Sequence, residues 1–196
     1  MRVLVVGATG CIGRAVVHAL RSRGQTVIAA SRGDAAMPVN YMHAVTPQAW
    51  AARLVEARID AVVNCVGTFD KGGRNSFEAV QHQGAARIAR IAAESGVARM
   101  VHISAIGADA QGASAYARSK AAGEAAVTRA FPGTVILRPS IIFGAEDQFF
   151  NRFAAMTRLG PVLPLVGGAT RFQPVYVDDV AQAAVAGATG AAAPGI

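Results

Sequence analysis

A short β-branched run, Arg2–Val6 (RVLVV), is followed at once by Gly7-Ala8-Thr9-Gly10-Cys11-Ile12-Gly13 and then by a helical pattern to about Arg23. This opening of strand, glycine loop and helix constrains the fold more than any other feature of the chain. Strand candidates and helical segments then take turns. Thr26–Ala30 reads as a strand, Pro47–Ala57 as a helix with Thr46 as its N-cap, Ala61–Asn64 as a strand and Ser76–Ser95 as a long helix. Arg99–Ile103 and Thr134–Arg138 read as strands on either side of a helix from about Ser114 to Ala130, and a strand Phe172–Tyr176 precedes a helix starting near Asp178. Strands separated by helical crossovers cannot pair as hairpins; they need right-handed βαβ connections. The expected fold is therefore α/β, a doubly wound Rossmann fold whose parallel sheet has helices on both faces. The uninterrupted apolar character of RVLVV, AVVNCV and TVILR fits strands covered on both sides.

Composition narrows the setting. With 196 residues, 53% hydrophobic and 16% charged, the chain buries a real core, which excludes disorder, and no repeat or low-complexity linker divides it. The net charge of +7 comes from 17 Arg and 2 Lys against 12 acids, scattered along the chain. Aromatics are only 6% and sit mostly in apolar runs, so a nucleic-acid partner is not expected. Cys11 and Cys65 lack CxxC or His neighbours at metal-ligand spacing, which predicts free thiols and no metal site. No apolar stretch has the length and composition of a transmembrane segment and the amino terminus lacks a signal-peptide layout, so a cytoplasmic location is expected.

In its context the glycine loop has a physical task. Gly7 allows a tight turn off the strand, Gly10 removes a Cβ where a pyrophosphate approaches the backbone, and Gly13 lets the helix pack close to the sheet. The N–H groups at the start of the helix, with the positive end of its dipole, then face phosphates. About twenty residues on, an NAD enzyme carries an acid for the ribose 2′-hydroxyl. This chain has Ala30-Ser31-Arg32 there: Ser31 can donate a hydrogen bond and Arg32 can pair with a 2′-phosphate and stack on adenine. NADP(H) is the preferred cofactor; Asp34 keeps NAD(H) possible, and Arg14 is placed to join the same charge cluster.

Tyr116-Ala117-Arg118-Ser119-Lys120 sets a phenol and an ammonium at i, i+4 on one helical face. A nearby ammonium lowers a phenol's pKa toward a working range, so Tyr116 is a candidate proton donor to a carbonyl receiving hydride, with Lys120 holding the nicotinamide ribose. The scattered histidines read as structural, and Asp178 or Asp179 reads first as a helix N-cap.

Taken together, GATGCIG, Val101–Asp109 (VHISAIGAD), YARSK, Leu137–Gly144 (LRPSIIFG) and Phe172–Ala181 (FQPVYVDDVA) resemble an atypical, extended-type short-chain dehydrogenase/reductase of the NAD-dependent epimerase/dehydratase kind. The chain is similar in particular to proteins related to the NADPH-binding accessory subunit of respiratory complex I. By position, the resemblance implies contacts to the dinucleotide from Gly7, Thr9, Gly10, Cys11, Ile12, Gly13, Ser31, Arg32, Val66, Gly67, Tyr116, Lys120 and Pro139. It implies Tyr116, Lys120 and Ser104 as catalytic residues, although Ala105 and Ile106 stand where extended members usually carry the working hydroxyl. Gln81 stands where the tetrad asparagine is usual.

Extended members also carry a carboxy-terminal lobe that shapes the substrate pocket. Residues 1–196 then amount to one NAD(P)-binding Rossmann domain, with most of that lobe absent from this sequence. Glu146–Pro164, with Phe149, Phe150, Phe153 and Met156, is expected to be an apolar surface that buries against a missing segment, a partner protein or a second copy. Three readings of function remain open. The first is an oxidoreductase moving hydride between NADP(H) and an unknown small carbonyl or alcohol. The second is a non-catalytic NADP(H)-binding accessory subunit or redox sensor, peripheral to a membrane if it joins a respiratory complex. The third is a nucleotide-sugar epimerase or dehydratase.

Overall fold

The computed structural model describes residues 1–32, 37–38, 47–69, 75–147, 149–158, 160 and 171–196. Strands β1 (Arg2–Val6), β2 (Thr26–Ser31), β3 (Met37–Pro38), β4 (Ala61–Asn64), β5 (Arg99–Ile103) and β6 (Thr134–Leu137) form one sheet in the order β3-β2-β1-β4-β5-β6. Every pairing in it is parallel. The order reverses between β1 and β4, and the crevice over that reversal, at the carboxyl ends of the strands, is where such sheets bind ligands.

Period-two alternation divides the strand residues between two cores. Val3, Val5, Val63, Val101 and Ile103 meet residues of α1 (Cys11–Ser22) and α6 (Val177–Thr189), among them Val16, Leu20, Ala181, Ala184 and Val185. On the opposite face Leu4, Val6, Val62 and Met100 meet α2 (Pro47–Glu56), α3 (Ala85–Glu94) and α4 (Ala115–Ala130) through Trp50, Leu54, Ala89, Ile91 and Val127. The doubly wound expectation is thus met: both faces of the sheet are covered.

Local departures have identifiable causes. The expected single helix Ser76–Ser95 opens instead with a π-helical turn, Glu78–Gly84, before α3 begins. There α4 crosses so closely that a Cβ on Gly123 would fall on the Gln81 carbonyl oxygen. Strand β6 stops at Leu137, one residue early, ahead of Pro139, which has no N–H for the ladder, and the Arg138 side chain reaches Glu124 on α4. Phe172–Tyr176 shrinks to β8 (Val175–Tyr176), which among the described residues pairs only with the two-residue β7 (Ile142–Phe143). The N-cap of α6 is Tyr176, so Asp178 and Asp179 lie inside its first turn, where they favour the helix dipole rather than cap it. Thr46 and Asp34 lie outside the described residues.

Candidate functional site

The glycine loop runs from β1 into α1. Gly7 has φ +82°, a conformation that L side chains avoid, and a Cβ there would sit 2.9 Å from Val66 Cγ2. A Cβ on Gly13 would fall on the Gly7 carbonyl oxygen and lie 2.8 Å from Ala8 Cα, so the helix starts in direct contact with the loop. Gly10 differs. Its backbone (φ −76°, ψ 166°) suits any residue, and a Cβ would meet only the Gly7 oxygen at 3.4 Å. Gly10 is also the N-cap of α1, with no side-chain cap and no acid in the first turn, so the helix start faces outward with bare N–H groups. Thr9 is exposed, Ile12 packs against the core, and burial, reinforced by Glu146, pushes the half-buried Cys11 thiol up.

At the end of β2, Ser31 is buried and its Oγ has no partner among the described residues. Arg32 is exposed and donates from Nη1 to Asn75 Oδ1 at 3.3 Å. Arg14 does not join it, contrary to the sequence expectation. Its guanidinium donates to Glu146 Oε2 at 2.6 Å and to the Thr9 carbonyl at 2.7 Å, so its charge is spent on the loop that follows β7.

Tyr116 and Lys120 lie on α4, which Ser114 caps by accepting from Ala117 N–H at 3.0 Å. Lys120 is 5% exposed, and its Nζ donates to the Ile103 carbonyl at the end of β5 at 3.3 Å. A Cβ on Gly67 would lie 3.7 Å from the same Nζ. Residues 65–67 therefore touch Gly7 on one side and Lys120 on the other, bringing the two sequence motifs over one sheet edge. Ser104 follows β5, buried, with its Oγ unpartnered among the described residues. Half-buried Pro139 follows Arg138 and accepts from Ile106 N–H at 3.0 Å.

The expected lowering of the Tyr116 pKa is not found. Burial pushes the phenol up, because Phe69 stacks on its ring at 5.7 Å and Phe77 meets it edge-on at 5.7 Å. Lys120 Nζ stands over the ring, 6.0 Å from its centroid. Burial instead lowers Lys120 itself to about 8, with Glu124 opposing.

That shift makes a stability prediction. A lysine ordinarily holds its proton to 10.5, so the folded chain is penalised fully below pH 8 and recovers as pH rises toward 10.5. Lys120→Met is expected to be more stable than wild type at pH 7 by roughly 1–3 kcal/mol, and the gap to close by about pH 10. Denaturant unfolding of both proteins at the two pH values measures it; a gap independent of pH would contradict a buried charged lysine.

Several contacts escaped the sequence reading, among them those made by Gln81, which stands in the tetrad asparagine's place. Glu124, buried on α4, holds Arg138 in a two-point ion pair at 2.9 and 2.6 Å. Gln81 donates to the Thr68 carbonyl at 2.7 Å and accepts from Ser119 Oγ at 2.8 Å, tying the Phe69 loop to α4. Asn64 and His102, polar residues in otherwise apolar strands, were the available signal for a third contact, 3.2 Å across β4 and β5. Burial pushes the Cys65 thiol up to about 12.

Beyond β7 the expected apolar surface is present as an aromatic cluster on α5 (Phe150–Thr157) and its neighbours. Phe149 meets Phe150, Phe153 and Phe172 edge-on at 5.1–6.2 Å, and Phe143 meets Phe150 and Tyr176. Five of these rings remain exposed: Phe143, Phe149, Phe150, Phe172 and Tyr176. Among the described residues no helix is long and apolar enough to cross a membrane.

Known proteins resemble this chain in sequence and in fold. The chain is 36% identical over 195 residues to the mitochondrial NADH dehydrogenase [ubiquinone] 1 alpha subcomplex subunit 9 of Arabidopsis thaliana, covering 93% of this chain and 48% of that protein. It is 30% identical over 190 residues to a ceramide reductase of Caulobacter vibrioides, covering 94% and 60% respectively. The chain thus spans about half the length of the complex I subunits it matches. The Bordetella bronchiseptica enzyme WbmG, solved with NAD, shares the fold at TM-score 0.78 and 17% identity, over 100% of this chain and 71% of that one. The sequence model of the NAD dependent epimerase/dehydratase family matches residues 3–194. With its parallel Rossmann sheet and glycine loop, the chain belongs to the NAD-dependent epimerase/dehydratase family.

Proposed function

We propose that this chain is the NADP(H)-binding portion of an oxidoreductase that reduces a carbonyl, with Tyr116 as proton donor. The observation that carries the reading is the segment 65–67, which lies against Gly7 and against Lys120 and so sets a phosphate loop and a proton-transfer pair side by side. The residues present fit a dinucleotide. Gly10 has a backbone that needs no glycine and space that a Cβ would fill, and Ser31 keeps a buried hydroxyl without a partner among the described residues. The bare N–H groups of α1 would hold the pyrophosphate; Ser31 and Arg32 would hold a 2′-phosphate. Val66, Gly67 and Pro139 would line the cofactor, with Thr9, Cys11, Ile12 and Gly13 shaping the loop.

When bound, the nicotinamide supplies the hydride. The chain's own part is the proton and its placement. Burial keeps the Tyr116 phenol protonated at neutral pH, which suits it to donate to a carbonyl oxygen gaining charge. Ser104 Oγ, buried and free of other bonds among the described residues, is available to donate to the same oxygen. Lys120 is placed by the Ile103 carbonyl, from which its remaining N–H groups can reach the ribose.

Cofactor choice is tested by titrating the purified chain with NADPH and with NADH. NADPH is expected to bind more tightly, and Arg32→Ala to lose about tenfold of that preference by removing a charge-assisted bond to the 2′-phosphate. Equal losses for both nucleotides would assign Arg32 to adenine rather than to phosphate.

The exposed aromatic cluster favours a second reading, an accessory subunit that holds the nucleotide and docks a partner protein at the membrane periphery. Nucleotide binding without turnover of any carbonyl, together with capture of a partner through Phe149 and Phe150, would favour it.

A further inference from the structure

Asn64 and His102 face each other across β4 and β5 as register partners, and both are almost wholly buried. The Val66 N–H donates to Asn64 Oδ1 at 3.1 Å, which fixes the amide's orientation and turns Nδ2 toward His102 Nδ1 at 3.2 Å. An amide NH2 only donates, so Nδ1 must accept. A protonated Nδ1 would set two donors face to face. Burial, with the nearby Lys120 charge, pushes His102 down to about 3, so the ring is neutral. A neutral imidazole whose Nδ1 accepts carries its one proton on Nε2. That Nε2–H is buried and has no partner among the described residues.

Ser104, two residues on, shares this face of the sheet, and its Oγ is likewise buried and unpartnered. Between the two, the Ile103 carbonyl takes one bond from Lys120 Nζ, leaving the ammonium with further donors. The enclosed polar corner is thus rich in donors and short of an acceptor. Its charges are few: Lys120 from α4, with Glu124 one turn along already neutralised by Arg138, and Cys65 at the end of β4 held as a neutral thiol.

We propose that this corner holds one water molecule, whose oxygen accepts from His102 Nε2–H and from Lys120 and which donates to Ser104 Oγ. The two lone pairs of a neutral water take those two donors, and one of its protons goes to Ser104 Oγ, giving the usual three bonds of a buried water. Asn64 and His102 are then positioning residues: Asn64 selects the tautomer, and His102 anchors the water that sets Lys120 and Ser104. The consequence for catalysis rests on the proposed function; the water itself does not.

Side-chain 1H–15N spectra of the full chain, from about pH 5 to about pH 8, test this without substrate, with His102→Gln identifying the signal. The expected result is a constant neutral pattern with the proton on Nε2 and magnetisation transfer to a long-lived water. A His102 that titrates near its ordinary value, carries its proton on Nδ1, or contacts no bound water overturns the proposal. Asn64→Asp offers Nδ1 an acceptor and is expected to return the titration of His102 to the observable range; an unchanged ring overturns the role of Asn64. In the active protein, His102→Phe is expected to move the alkaline limb of the pH–rate profile by about one unit, whereas a purely structural residue would lower the rate at every pH alike. A chain that binds no nucleotide yet shows this spectrum overturns the proposed function and keeps the water. Carbonyl reduction by a chain whose His102 titrates normally does the reverse.

Discussion

Tyr116→Phe is expected to lower carbonyl reduction at least ~100-fold while NADPH affinity stays within about twofold. The substitution removes only the phenolic oxygen. The stack with Phe69 and the edge contact with Phe77 are made by ring carbons, so the side chain keeps its place and α4 its packing. On the proposed reading, binding is carried by the glycine loop and the end of β2, which the oxygen does not support. What disappears is the proton that must reach the substrate oxygen as hydride arrives at carbon. Steady-state rates with a screened aldehyde or ketone, beside a nucleotide titration of the same variant, separate the two effects. Turnover unchanged by the substitution would overturn Tyr116 as the acid, whereas nucleotide binding with no turnover in the unsubstituted chain would leave the accessory-subunit reading.

Gly13→Val and Gly10→Ala are expected to fail in different ways. At Gly13 an added Cβ meets backbone, the Gly7 carbonyl and Ala8 Cα, which no side-chain rotation can relieve. The start of α1 must lift from β1, and overpacking of this kind costs about 3 kcal/mol or more. Both stability and nucleotide affinity fall. At Gly10 the added methyl meets only the Gly7 oxygen at ordinary distance and the backbone tolerates it, so the unfolding midpoint should hardly move. Nucleotide affinity is nonetheless expected to drop ~100-fold, because on the proposed reading the methyl would occupy the approach of the pyrophosphate. Denaturant melts and NADPH titrations of both variants form the test. If Gly10→Ala binds as wild type does, the loop does not cradle phosphate.

The alternation of apolar runs with helical segments was enough to read β1, β2, β4 and β5, since each is a local pattern that burial on two faces enforces. The glycine loop and the Tyr116–Lys120 spacing were equally local. What escaped depends on contacts between distant segments. The π-helical turn at Glu78–Gly84 follows the 3.6-residue pattern closely enough to read as helix, and only the close crossing of α4 at Gly123 distinguishes it. Arg14 looked free for phosphate because its partner, Glu146, lies 132 residues away. The Tyr116 pKa was misjudged for the same reason: i, i+4 spacing registers Lys120, but not the two phenylalanines that bury the ring.

The ion pair between Glu124 and Arg138 has a mechanical meaning. Glu124 lies one turn beyond Lys120 on α4, and Arg138 immediately precedes Pro139. The same strand exit is clipped to the segment after β5, with Ser104 N–H donating to the Leu137 carbonyl at 2.7 Å and Ile106 N–H to the Pro139 carbonyl at 3.0 Å. Three segments that approach the crevice from different parts of the chain are therefore fastened to one another as well as to the sheet. A displacement of α4 would therefore carry all three, which keeps the spacing between Tyr116 and Pro139 from changing through independent movement of either one. The buried carboxylate acts less as glue for the fold than as a coupling rod that turns independent fluctuations into shared ones.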